Sequence, residues 1–75
     1  MILTEVKIDE SKFPENVKDL ISRMIKLDQD GDWLNYSFLA EQLEVMAKLS
    51  YQAGKISYRD FDTLCLKYCG VENND

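Results

Sequence analysis

The chain has 75 residues, 45% of them hydrophobic, and fourteen acids against nine bases give it a formal net charge of −5. This length supports a single domain, 1–75, with a small core, and the hydrophobic fraction excludes a disordered chain. The basic residues are scattered, which argues against nucleic-acid binding. The sequence has no long apolar run, which argues against a signal peptide and a membrane span. We therefore expect a soluble cytoplasmic protein.

The first residues alternate in the manner of a strand. Ile2, Thr4, Val6 and Ile8 would lie on one side of it. The pattern predicts a short N-terminal β-strand or extended segment that ends in a turn, within 1–12. A lone strand needs a partner, so Ile2 and Val6 are candidates for docking on a second copy or on the sheet edge of another protein.

A first helix is predicted over 13–28. Pro14 and Glu15 suit the first turn of a helix, and apolar residues then recur at helical spacing along one face. Gly31 is expected to end the helix in a left-handed conformation.

A second helix is predicted over 33–53, with Asp32 as its N-cap. Its apolar residues fall on two adjoining sides: Leu34, Phe38, Val45 and Leu49 on one, and Leu39, Leu43, Met46 and Ala53 on the other. A helix that is apolar over half its circumference is expected to be central. We expect it to carry more apolar surface than two neighbouring helices can cover.

A third helix is predicted over 57–69, capped by Ser57 with Asp60 three residues later and ended by Gly70. The stretch 70–75 reads as a flexible tail. The predicted fold class is therefore mostly α: a three-helix domain with a short N-terminal β-strand or extended segment.

The acidic cluster Asp28, Asp30 and Asp32 resembles the opening of an EF-hand calcium loop. The sixth position of that loop needs glycine but holds Trp33, and the twelfth needs glutamate but holds Leu39. We therefore predict an acidic turn between helices, with no metal and no cofactor. A weak divalent site at the three aspartates is the outside alternative.

Residues for catalysis are sparse. The chain has no histidine and no glycine-rich phosphate loop. Cys65 and Cys69 are four residues apart, which is not a CxxC pair, and they read as a core and a half-buried thiol. We predict that the protein is not an enzyme.

Aromatic residues divide into two groups. Phe38, Phe61 and Tyr68 are expected in the core. Trp33, Tyr36 and Tyr51 fall at the edges of the apolar arc or in the acidic turn, where aromatics are typical of protein-binding hot spots. The alternative is that they cover the ends of a small core.

The stretch 49–68, LSYQAGKISYRDFDTLCLKY, forms a predicted helix–turn–helix corner. It resembles the helical hairpin of the short C-terminal domain (SHOCT) family through Ala53, Gly54, Ile56, Ser57, Asp60 and Phe61. The family usually has a lysine where this chain has Cys65. The resemblance implies an interaction or oligomerisation hairpin without catalytic residues.

Three functions remain open at this point. The first is a protein–protein interaction module that binds itself as a homodimer or docks on a larger protein. The second is an acidic inhibitor from a phage or mobile element, of the anti-CRISPR kind, that imitates nucleic-acid phosphates with Asp28, Asp30, Asp32, Glu41 and Glu44. The third is a small DNA-binding regulator that uses the 49–68 corner, with Lys48, Lys55, Arg59 and Lys67.

Overall fold

The structure, a computed structural model, describes residues 2–70. These residues form a short 3₁₀ helix, Glu10–Lys12, and three α-helices: α1, Glu15–Asp30; α2, Trp33–Gln52; and α3, Tyr58–Cys69. The predicted three-helix, mostly α fold is confirmed, with α1 displaced by two residues from its predicted bounds. None of the described helices is both long and apolar enough to cross a membrane. The predicted tail, apart from Gly70, lies outside the described residues.

Local signals explain where the helices begin and end. Asp32 caps α2, because its carboxylate accepts a hydrogen bond from the Asn35 backbone N–H at 3.3 Å. Ser57 caps α3 in the same way, through the Asp60 backbone N–H at 3.1 Å. Gly31 ends α1 at a φ of 72°, a conformation that favours glycine. These caps and this helix end are confirmed.

The core lies between α2 and the other two helices, so α2 is the central helix, as predicted. Side chains of α1 and α3 and of the connecting segments complete it. Its buried apolar residues are Phe13, Val17, Leu20, Ile21, Met24, Tyr36, Leu43, Ala47, Ile56, Phe61, Leu64, Cys65 and Tyr68.

The N-terminal segment runs against α3. The Leu3 backbone N–H donates to the Lys67 carbonyl at 2.9 Å, and the Lys67 ammonium donates to the Val6 carbonyl at 2.7 Å. Residues 4–6 form a turn in which the Val6 N–H donates to the Leu3 carbonyl at 3.2 Å. No β-strand is formed among residues 2–70.

Two buried tyrosines join three elements through hydrogen bonds. The Tyr36 hydroxyl of α2 donates to the Tyr68 carbonyl at 2.5 Å, and the Tyr68 hydroxyl donates to the Glu10 carboxylate. Burial raises the pKa of both phenols well above the ordinary value of 10.0, and for Tyr68 the Glu10 carboxylate adds to the effect. Both side chains are therefore neutral at physiological pH.

Candidate protein-binding surface

The outer face of α2 carries four large apolar side chains in one row. Leu34, Phe38, Val45 and Leu49 are 71%, 56%, 58% and 59% exposed. At about 100° per residue they fall within an arc of about 60°. We call this row the α2 stripe.

The opposite face of α2 is the buried one. Tyr36, Leu43, Ala47 and Ser50 turn toward α1 and α3 and are all less than a tenth exposed. The helix therefore has two apolar faces, and its neighbours cover only one of them. The prediction that Phe38 belongs to the core is wrong. Phe38 belongs to the row of α2 that points outward. The helical spacing in the sequence reveals both rows but does not indicate which of them the neighbouring helices cover.

Shallow grooves flank the stripe. One, of about 420 Å³, lies between α1 and α2 and is lined by Phe38 and Leu39 together with Arg23 and Lys26. A second, of about 370 Å³, is lined by Phe38, Val45 and Met46, with Glu41 and Gln42 at its polar edge. The stripe is thus a ridge with grooves beside it, which is a shape that can interlock with another helix.

The two ends of the stripe differ in charge. The acidic turn with Asp28, Asp30 and Asp32 lies just before Leu34, whereas Lys48 and Lys55 lie near Leu49 at the other end. Glu41 and Glu44 are exposed along the middle of α2. Glu41 lies about 20° outside the arc of the stripe, on the side of Lys48.

The acidic turn is built as a helix connection. The Asp32 carboxylate accepts hydrogen bonds from the Asn35 backbone N–H and, at 2.7 Å, from the Asn35 side-chain amide, so one oxygen caps α2 and the other is held by the Asn35 side chain. Among residues 2–70, no three potential ligands of the types His, Cys, Asp and Glu are grouped so that they could hold a metal ion.

The three aromatic candidates are in different environments. Tyr36 is only 4% exposed, so its assignment as a partner-binding residue is wrong: its hydroxyl has a carbonyl partner inside the fold, which permits burial of the whole ring. Trp33 is 48% exposed and packs edge-on against Tyr36, with the ring centroids 6.0 Å apart. Tyr51 is 39% exposed and stacks on Phe61.

Tyr58, 52% exposed, was not among the candidates from the sequence. Its ring centroid lies 5.5 Å from that of Tyr51, so the two tyrosines form one aromatic patch at the α2–α3 corner. Tyr51 and Tyr58 are seven residues apart and lie on different helices, so helical periodicity in the sequence does not predict that they pair.

The N-terminal candidates lie against the body of the protein. Ile2 is partly buried and packs on the core, and Val6 is half-buried. The carbonyls of Leu3 and Val6 both accept hydrogen bonds from Lys67, at 3.4 and 2.7 Å. These groups already have partners within the fold, which reduces what the segment can offer to a foreign sheet edge.

The two cysteines are placed as predicted. Cys65 is buried and Cys69 is half-buried, and the Cys69 thiol donates to the Ala40 carbonyl at 3.3 Å. The hydrogen bond with Cys69 and burial together raise the pKa of the Cys65 thiol. A neutral thiol in an apolar setting is a poor nucleophile, so Cys65 acts as a packing residue.

No protein-family model matches the chain, and comparisons with curated proteins and with solved structures also give no match.

Proposed function

We propose that this protein is a non-enzymatic protein–protein interaction module that binds through the α2 stripe. The observation that carries the proposal is the exposure of Leu34, Phe38, Val45 and Leu49, each by more than half, in one row. A row of this kind on a small protein is typical of an interaction surface, whereas single exposed apolar residues are common and need no explanation.

The energetics support binding. Full burial of a Leu, Val or Phe side chain contributes about 1.5–3 kcal/mol, and the outer parts of these four side chains contribute little of this to the fold. This free energy of burial would become available when a partner covers the row. Trp33 lies off one end of the row, and aromatic residues at such edges add binding energy.

The acidic-inhibitor hypothesis has less support. Asp32 is committed to capping α2, and Glu41 lies about 13 Å further along the helix, so the acids do not follow one continuous line. The DNA-binding hypothesis loses one of its four bases, because Lys67 donates to two backbone carbonyls of the N-terminal segment.

The proposal can be tested by capture on immobilised protein. The chain is coupled to beads and offered both a lysate of its native cells and an excess of the untagged chain. We expect a bound protein, whether a cellular partner or the chain itself, that is lost with the double variant Phe38→Gln/Val45→Gln. Both positions are exposed, so the variant should keep its helical circular dichroism.

The matched control is Asp28→Asn/Glu44→Gln, which removes acids and leaves the stripe intact. Binding through the apolar stripe should be retained in this variant and at raised salt concentration. Binding that depends on imitation of phosphates should be strongly reduced in both conditions. The proposal fails if nothing binds in a stripe-dependent manner, or if only the acid variant and salt abolish binding.

A further inference from the structure

The α2 stripe has the same spacing when read from either end. Its members are separated by intervals of 4, 7 and 4 residues, so the row is symmetric about the midpoint between Glu41 and Gln42. An antiparallel copy of α2 would therefore place Leu34 opposite Leu49 and Phe38 opposite Val45 in both halves. This self-complementarity is what a two-fold symmetric interface requires.

The charges at the ends of the stripe favour the same arrangement. An antiparallel copy brings the end of the stripe that carries Asp28 and Asp30 alongside the end of the other chain's stripe that carries Lys48 and Lys55. A parallel copy would place acids beside acids and lysines beside lysines. Antiparallel packing also opposes the two helix dipoles, each of which has a positive N-terminus and a negative C-terminus.

The available area sets the strength of such a contact. Each of the four side chains can bury on the order of 100 Å², which gives roughly 800 Å² for two copies before the groove-lining side chains are added. Specific interfaces begin near 1,000 Å² in total. The stripe together with the edges of its grooves reaches only the lower end of this range, so we expect a weak dimer.

Glu41 opposes the contact in a way that can be measured. It lies half a residue from the symmetry midpoint and borders the stripe, about 20° outside its arc, so the two Glu41 side chains would face each other on one side of the pair. Facing carboxylates repel, which weakens the dimer without preventing it. This position therefore distinguishes the symmetric contact from docking on an unrelated protein.

We infer that the α2 stripe binds a second copy of this chain, with the two α2 helices antiparallel about a two-fold axis beside Glu41 and Gln42. The inference rests on the proposed function and specifies its partner. It predicts a concentration-dependent dimer that is weakened by a charge in the stripe and strengthened when Glu41 is made neutral.

The first test is sedimentation equilibrium of the full chain from about 1 μM to 1 mM. The wild type should be a dimer at the upper end, and Val45→Glu should raise the Kd by at least about tenfold with unchanged circular dichroism. Glu41→Gln should lower the Kd by roughly 1.5-fold to twofold, as expected for removal of one like-charge pair. Glu44→Gln, on the same helix outside the stripe, is the matched control and should change the Kd less than Glu41→Gln does.

The second test fixes the orientation by disulfide cross-linking. Leu34→Cys mixed with Leu49→Cys should give a covalent heterodimer on oxidation, because facing Cβ atoms come within bonding range. Leu34→Cys alone should not, since its two copies would be about 22 Å apart along the helix axis. The wild type, which retains Cys65 and Cys69, reports the background.

Two results would overturn the inference. One is a wild type that remains monomeric up to 1 mM; the other is efficient cross-linking of Leu34→Cys to itself, which indicates parallel packing. If the chain is monomeric but still captures a cellular protein that the Phe38→Gln/Val45→Gln variant does not, the inference fails and the proposed function stands. If neither copy nor cellular protein binds, both fail.

Discussion

The buried tyrosines Tyr36 and Tyr68 should make the fold sensitive to alkali. Both phenols are less than a twentieth exposed and have a pKa raised above 10.0 in the folded protein by burial. In the unfolded chain they ionise near pH 10. Above that pH the unfolded state binds fewer protons than the folded state, so the free energy of unfolding falls as the pH rises.

The size of the effect follows from the number of groups. Each tyrosine lowers the free energy of unfolding by about 1.4 kcal/mol per pH unit above pH 10. The Cys65 thiol, whose pKa is raised from the ordinary 9.0 by its hydrogen bond with Cys69 and by burial, should add a similar slope from about pH 9. Against a total stability of roughly 3–5 kcal/mol for a core of this size, the three groups predict alkaline unfolding between about pH 10.4 and 10.9.

Urea titrations followed by circular dichroism at pH 7, 9, 10 and 10.5 would measure this slope. Tyr36→Phe should lower the free energy of unfolding by about 1–2 kcal/mol at pH 7, because the Tyr68 carbonyl loses its hydroxyl donor. It should also reduce the fall of that free energy with pH above pH 10 by about 1.4 kcal/mol per pH unit. Tyr58→Phe, at an exposed ring, is the control and should change neither quantity. A wild-type slope retained in Tyr36→Phe would refute the reasoning.

Two further changes test other contacts. Leu43→Ala on the buried face of α2 should lower the free energy of unfolding by about 3–5 kcal/mol, which would leave the chain largely unfolded at 25 °C. Thermal denaturation would measure this loss. A loss below about 1 kcal/mol would show that this face of α2 is not packed. Lys67→Met should free the N-terminal segment, so that the Leu3 amide, which donates to the Lys67 carbonyl, exchanges faster while the amides of α2 keep their protection.

The fold was predictable from the sequence where short-range chemistry decides it. Asp32 and Ser57 reach backbone N–H groups only three residues away, and Gly31 adopts the left-handed conformation because of its own missing side chain. Such signals depend on neighbours in the chain, so the ends of α2 and α3 and the position of the turns could be read directly.

The sequence predicted that α2 has an excess of apolar surface, but it did not predict which residues of α2 are exposed. The pattern of α2 showed more apolar residues than two helices could cover, yet Phe38 was assigned to the core and Tyr36 to the surface. The exposed row (Leu34, Phe38, Val45 and Leu49) is the more hydrophobic of the two, so hydrophobicity alone would bury the wrong face. The choice depends on a contact 32 residues away, where the Tyr68 carbonyl accepts a hydrogen bond from the Tyr36 hydroxyl. Long-range pairing of this kind leaves no periodic trace in a single sequence.

The division of α2 into two faces separates folding from binding. Leu43 and Ala47 pack against the neighbouring helices, whereas Val45 and Leu49 lie on the outward face and contact little of the core. A polar residue at either outward position should therefore leave the monomer as stable as before, because little buried surface is lost. Loss of binding by such a variant can then be attributed to the surface itself, and a stability loss of several kcal/mol at Val45 would mean that the stripe is covered in solution.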